Sequence, residues 1–333
     1  MTRASLLLLS IGAAVFVALL AWQGFGSVTS TLMVAGWGLV LVAAFHLLPL
    51  ALDAGAIVVM FDRDNAHRSM RAALSARWAG ESVNSLLPAG QIGGPVVMAR
   101  HLMQRGARLT DAAAAITVST TMQALAQILF AVFGLGLFAA YTAHETLTDL
   151  HAPVLIATAV LASAIVVFYW AQRRGLFGGL LRMAAKAFSA RDWSASTAQA
   201  DAIDAAVRAL YRERRKVAAS FALSFVGWLV GTFEVWLALR LLGHPVDWLD
   251  ALLLESVGQA IRGAAFAIPG SLGAQEGGYL LLAPLVGLTP DTGLALSLAK
   301  RARELALGVP GIVYVYWIER NWRRRASPMP VTD

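Results

Sequence analysis

Cysteine is absent from all 333 residues. That single absence removes disulfides, thiolate zinc sites and cysteine nucleophiles. Charge is scarce too. Only 14% of the residues are Asp, Glu, Lys or Arg, against about 25% in a soluble domain. No phosphate-cradling G-x-x-x-x-G-K-[ST] run occurs, which excludes ATP hydrolysis by that device. No G-x-S-x-G nucleophile elbow occurs either. The six histidines are scattered without H-E-x-x-H or comparable ligand spacing. His144 and His151 share a loop, but no metal site is expected from them. No cofactor and no catalytic residue is expected.

Apolar residues are abundant, at 58%, and the mean hydropathy is +0.64. This is the composition of an integral membrane protein. The net charge of +7 then reports orientation rather than a nucleic-acid partner.

Apolar runs near 5–22, 31–61, 110–140, 153–171, 217–242 and 292–318 each supply the roughly 20 residues a helix needs to cross. The connections 23–30, 141–151 and 243–250 contain no Lys or Arg. Arg63, Arg68, Arg71 and Arg77 follow the second run, ten bases from Arg173 to Lys216 follow the fourth, and Arg320 to Arg325 close the chain. The excess of bases marks cytoplasmic segments, so both termini are expected in the cytoplasm. A cleaved signal peptide is the alternative reading of 5–22, but Trp22 and Gln23 stand where a small-residue cleavage site belongs.

Two further stretches read as inverted copies. One begins E-S-V-N-S-L-L-P-A-G-Q-I-G-G-P at Glu81. The other begins E-S-V-G-Q-A at Glu255, passes Arg262, and reads I-P-G-S-L-G-A-Q-E-G-G-Y from Ile268. Each runs from an acid through a proline into a glycine-rich turn. Glycine-broken backbone at membrane depth is tolerated only inside protein or along a cavity. Paired breaks in two halves point to a transporter's binding site. The expected fold is therefore all-α, with about six transmembrane helices plus two re-entrant helical hairpins in an inverted repeat. One transmembrane domain covers 1–320, with halves near 1–140 and 153–318 and a cytoplasmic connector at 172–216. A basic tail covers 321–333.

Within the connector, Phe177, Leu180, Leu181, Ala184 and Phe188 share a helical stripe. Residues 176–188 read as a basic amphipathic helix on anionic inner-leaflet lipids. Residues 197–216 read as a second, solvated helix with a Thr197 cap, early acids and terminal bases.

An ionisable group at the bilayer centre costs about 2.5–3.5 kcal/mol, so each needs a partner or a wet cavity. Glu81 with Asn84, and Glu255 with Gln259, lie one turn apart on the two first arms. Gln91, Gln275 and Glu276 fall near the tips. Arg262 and Arg301 complete the candidate substrate-binding set, with Arg301 expected to pair Glu276 or Glu255 in a crowded turn of Lys300, Arg301, Arg303 and Glu304. Asp53 and Glu234 hold matching places in the two halves and are candidate proton-coupling sites. The alternative for the groups on the two arms is that they satisfy unpaired backbone at the hairpin tips, for the Arg301 turn an ion pair that only holds helices together, and for Asp53 and Glu234 a satisfied acid near the membrane interface.

The run from Asn84 to Val96, backed by Arg100 and Arg105, resembles the first signature of the lysylphosphatidylglycerol synthase transmembrane, or flippase-like, family. The run from Ile268 to Tyr279, followed by the Arg301 helix, resembles the second. The forms Q-I-G-G and P-G-S-L-G-A-Q-E-G-G are most like the hopanoid-biosynthesis-associated branch. The resemblance implies a bacterial inner-membrane protein that moves or presents a lipid, with hopanoids as the expected cargo and lipid-synthesis enzymes as expected partners. A phospholipid or polyprenyl phosphate is the alternative cargo. A head-group enzyme and a scaffold are the alternative functions. Only about sixteen residues follow Trp317, too few for the soluble aminoacyl-transferase domain of full synthases, so aminoacyl transfer is not expected.

Overall fold

The computed structural model describes residues 33–87, 90–142, 194–265 and 268–326, with isolated positions between 159 and 175. The expected span 5–22, most of 153–171, the amphipathic stretch 176–188, Pro88, the Gln91 side chain and the tail from 327 lie outside the described residues. Among the described residues every regular element is helical.

Helices α1 (Gly38–Phe45) and α2 (Leu47–Val58) form one apolar rod interrupted at His46. Pro49 accounts for the break. It has no N–H to give Phe45, and its ring crowds that carbonyl. Helix α3 (Met70–Leu86) starts where Ser69 Oγ accepts the Ala72 N–H at 3.3 Å. It stops at Leu87, whose backbone is extended, as a residue before proline must be. Helix α4 (Gly90–Gln104) returns alongside. Asn84 Oδ1 accepts from the Gly94 N–H at 2.8 Å, and Ser75 meets His101 at 2.9 Å. Helices α5 (Leu109–Thr142), α6 (Ser194–Arg212) and α7 (Arg214–Leu241) follow. A second hairpin comprises α8 (Trp248–Ala264), a tight turn at Pro269–Ser271 and α9 (Ala274–Leu282). Helix α10 (Pro290–Ala326) closes the order.

Among the described residues, three stretches, 38–58, 109–138 and 214–241, are long and apolar enough to cross a bilayer. The chain is a multi-pass membrane protein. Residues 292–318, expected as a sixth span, are helical within α10, but Lys300, Arg301, Arg303 and Glu304 break the apolar run. Arg77 also departs from the sequence reading. It is not a loop charge but a residue of α3, bonded to Asp53 of α2 at 2.9 Å.

The two hairpins are inverted. On α10, Gly308, Gly311 and Tyr314 meet Leu86, Ser82 and Trp78 in turn, so α3 runs antiparallel to α10. Gly293 and Ser297 meet Tyr279 and Gln275, so α9 is antiparallel to α10 as well. Helix α8 opposes α9 and therefore runs with α10, against α3. The tips meet: a methyl group on Gly270 would lie 3.1 Å from the Ser85 carbonyl oxygen.

Exchanging α2 with α7, α3 with α8, α4 with α9 and α5 with α10 maps nearly all the helix packing onto itself. Each first arm packs on the helix before it and on the last helix of the other half. The serines of the two E-S-V runs make equivalent crossings, Ser82 against Gly311 of α10 and Ser256 against Gly134 of α5. One pair breaks the exchange. Helix α5 packs along α7, with Phe130 stacked on Trp228 and Phe133 beside Phe225. Their counterparts α10 and α2 do not pack this way; α10 meets the same rod at α1 and through Arg303 on His46 instead.

Helix α6 begins at Ser194, not after a Thr197 cap, and one of its faces packs on the rest of the chain. Its stripe of Ile203, Val207 and Leu210 joins the core beside Ile116 and Val118 of α5. The charge order at the two ends of that stretch conceals the stripe. Gly227 and Gly231 of α7 face Asp53 and Glu255, so they serve packing within the chain.

Candidate functional site

The break at Pro49 places the His46 imidazole among three other helices. Its Nε2 lies 2.8 Å from Glu81 Oε1 of α3, and its Nδ1 lies 2.7 Å from Glu234 Oε2 of α7. Arg303 of α10 touches the same Nδ1 and stands 3.0 Å from Glu234. About two turns further along the rod, Asp53 of α2 binds Arg77 at 2.9 Å and accepts from Gln123 Nε2 at 2.6 Å.

The crowded turn of α10 distributes its charges radially, since successive helical residues point about 100° apart. Lys300, only 2% exposed, reaches Glu255 of α8 at 2.5 Å and lies over the Tyr279 ring. Glu255 also accepts from Gln259 at 2.8 Å and from Tyr279 at 3.2 Å. Glu304 takes Arg262 at 2.9 Å and Arg301 at 2.7 Å.

Arg301 clamps the second tip. It donates to Glu276 Oε1 at 2.8 Å and to the Gly270 carbonyl at 2.7 Å. Gly270, Ser271 and Gly273 all have positive φ, and a non-glycine residue there is held only by its surroundings. Glu276 further accepts the Gly273 N–H at 2.7 Å and the Ser297 hydroxyl at 3.2 Å. Gln275 donates to Ser297 Oγ at 2.9 Å. Both tip residues are buried, and Glu276 has no exposed surface.

The packing left open between α2 and α10 forms a crevice. His46 at the break, Leu50 of α2, Trp78, Glu81, Ser82 and Ser85 of α3, and Arg303, Glu304, Leu307 and Gly308 of α10 line it. About 10 Å³ is open to water centres, room for a single water. Glu81 is the acid that faces it, with 30% of its side chain exposed. Leu47 and Leu48 on α2, and Leu305 and Val309 on α10, leave apolar surface exposed near the crevice. A larger cavity of about 420 Å³ lies between α5, α6 and α7, lined by Met122, Leu125, Tyr169, Tyr211, Arg214, Val217, Ala218 and Phe221. It is mostly apolar, with Arg214, Tyr169 and Tyr211 as its polar residues, and no carboxylate lines it. The smaller crevice, where the ionisable groups converge, is the candidate site.

Of the residues singled out in the sequence, Glu81, Glu234, Arg262, Gln275, Glu276 and Arg301 belong to one connected network around α10, and Glu255 and Gln259 form a neighbouring cluster with Lys300 of the same helix. Asp53 joins it through Arg77, which approaches Glu81 at 3.9 Å. Asn84 is apart, holding the amide of Gly94 at the first tip. Arg301 pairs Glu276, while Glu255 takes Lys300 instead. The sequence reading missed His46, Arg77 and Arg303 as site residues. The available signal for His46 was a lone imidazole three residues before a proline inside an apolar run.

Residues 8–311 match the family model described as the lysylphosphatidylglycerol synthase TM region. No curated protein and no solved structure matches the chain.

Proposed function

Because the chain belongs to the lysylphosphatidylglycerol synthase TM-region family, we propose that it carries a membrane lipid between leaflets by alternating access. The observation that supports this reading is the one broken exchange in the packing. Helices α5 and α7 are closed on each other, while α2 and α10 leave a polar crevice. In an inverted pair of halves, the opposite arrangement uses the same contacts with the roles exchanged. Closing α2 on α10 and parting α5 from α7 would present the network to the other face.

In this reading the two hairpins enter the membrane from opposite sides and stop at the tip-to-tip contact of Gly270 with Ser85. The full count is six spans, in the bacterial inner membrane, with both termini cytoplasmic. The head group enters beside Glu81, Ser82 and Ser85, and the tail stays in lipid along Leu47, Leu48, Leu305 and Val309. Glu276 and Arg301 hold the second tip, and Glu255 and Lys300 hold its first arm. The proposed cargo is a hopanoid. Anionic lipids at 176–188 and lipid-synthesis enzymes are the proposed partners.

The second reading is an enzyme that uses Glu81 or Glu276 as general acid or base. Glu276 is fully enclosed and accepts from three groups, which favours a holding role. Of these two acids, Glu81 is the one that lines the crevice.

Purified protein in liposomes tests the proposal. One set holds a hopanoid polyol whose vicinal diol is cut by external periodate. The other holds a fluorescent phospholipid bleached by external dithionite. Protein-dependent loss of the inner-leaflet pool in either set supports transport and separates the two cargoes. Loss at the protein-free rate in both sets contradicts it. A chemically altered lipid recovered from the vesicles would favour the enzyme.

A further inference from the structure

We propose that His46 is a proton-carrying site, with Glu81 and Glu234 as its partners, and that the lipid movement proposed above is linked to it. The inference rests on that reading for its link to lipid, but the site itself rests on geometry.

A neutral imidazole has one N–H. His46 faces a carboxylate from each ring nitrogen, Glu81 at 2.8 Å and Glu234 at 2.7 Å. Only the imidazolium donates to both. When Nδ1 holds no proton, the Arg303 guanidinium is already in contact with it and fills the lone pair. With a proton on Nδ1 the ring donates to Glu234 while Arg303 keeps its own bond to that carboxylate, and without it Nδ1 accepts from Arg303, so each state has a partner within reach.

The charges around it agree. Glu81 faces His46 from α3 with Arg77 behind it, Glu234 from α7 and Arg303 from α10; Lys300 and Glu304 of α10 stand next to Glu234 and Arg303, and Asp53 lies on the helix that follows His46. In the network and its neighbouring cluster together six carboxylates, of Asp53, Glu81, Glu234, Glu255, Glu276 and Glu304, meet five cations, of Arg77, Arg262, Lys300, Arg301 and Arg303. A protonated His46 closes that balance. A neutral one leaves one net negative charge, which is costly away from water.

A second observation concerns the far partner. Glu234 Oε1 is buried and has no hydrogen-bond partner among the described residues. An unpaired buried carboxylate oxygen is expensive, and a proton on Glu234 lowers that cost. Glu81, by contrast, opens to the crevice.

The step balances without any oxidant. Starting from the neutral ring protonated on Nδ1, a proton taken up by Glu81 passes to Nε2, breaking O–H and forming N–H, and gives the imidazolium. The proton on Nδ1 passes to Glu234, breaking N–H and forming O–H. A head group that engages Glu81 competes with His46 for the same carboxylate, so lipid arrival and proton transfer act on one hydrogen bond.

Two measurements test this. First, protein with ¹⁵N-histidine is placed in nanodiscs of phosphatidylglycerol and phosphatidylethanolamine, with the His46 signals assigned through His46→Gln. Both ring nitrogens are expected to be protonated at neutral pH and one to deprotonate at higher pH. In Glu234→Gln the transition should move down by about one pH unit or more. A ring that stays neutral across pH 5–9, or an unmoved transition in Glu234→Gln, overturns the site. Second, the liposome assay is repeated with a one-unit pH gradient. At one proton per lipid such a gradient sustains about a tenfold leaflet imbalance, and His46→Gln should abolish it. Lipid movement indifferent to the gradient overturns the link and leaves transport standing. No lipid movement, with the nitrogen transition intact, sinks transport and supports the proton site.

Discussion

Ser82 of α3 rests against Gly311 of α10, so closely that a β-carbon at Gly311 would lie 2.7 Å from the Ser82 β-carbon. The same crossing recurs where Ser256 meets Gly134, at 2.6 Å. These two contacts fasten each hairpin to the last helix of the opposite half. Real β-carbons do not approach so closely, and overpacking of this kind costs about 1–3 kcal/mol. Gly311→Ala and Gly134→Ala should each lower the thermal unfolding midpoint in detergent. Adding Ser82→Gly to Gly311→Ala should restore part of the loss. Equal midpoints for wild type and both alanine variants would show that the crossings are loose.

The Arg301 clamp gives a second expectation. Truncating one partner of a buried ion pair strands the other, at about 3–5 kcal/mol. Glu276→Ala should destabilise the fold strongly and release hydrogen-exchange protection around Gly270 to Gln275. Glu276→Gln keeps the acceptor for Gly273 and should be milder. Protection unchanged in Glu276→Ala would remove its holding role.

Glu81 should behave in the opposite way, because it faces the crevice. Glu81→Gln retains shape and an acceptor oxygen, so its unfolding midpoint should stay near that of wild type. Its lipid redistribution should fall to the protein-free rate. Wild-type redistribution in this variant would move the head group elsewhere.

His101 on α4 lies outside the three candidate spans, and it supplies a pH dependence. Burial, and secondly Arg105, push its pKa down from 6.5 to about 4. The folded value is depressed, so the unfolded chain binds the proton more readily between those two pH values. The stability this contributes is complete above pH 6.5 and is lost as the pH falls toward 4. Wild-type unfolding midpoints should therefore decline more steeply over that interval than those of His101→Gln. Parallel declines would contradict the assignment.

The hairpins were legible because backbone breaks need particular residues. Pro88 forces Leu87 into extended backbone, and the positive φ of Gly270 and Gly273 demands glycine. The repeat was legible because Ser82 and Ser256 must each face a glycine, so the E-S-V runs survive as visible copies. Pairings were less legible. Lys300, Arg301 and Arg303 point to different helices from one turn, and spacing alone does not say that Lys300, not Arg301, meets Glu255. Arg77 read as a loop charge because position along the chain does not show that α3 carries it back to Asp53. His46 was missed because an imidazole among apolar neighbours has no local partner; its partners come from residues 35, 188 and 257 positions away.

The central claim is that α5 must part from α7 for lipid to cross. Because the chain has no cysteine, Phe133→Cys with Phe225→Cys places the only two thiols on helices whose rings lie 6.2 Å apart. Bridging them with a short reducible bis-thiosulfonate in reconstituted liposomes should stop lipid redistribution, and reduction should restore it. Redistribution continuing at the unbridged rate, with the bridge verified by mass, would contradict alternating access through this pair.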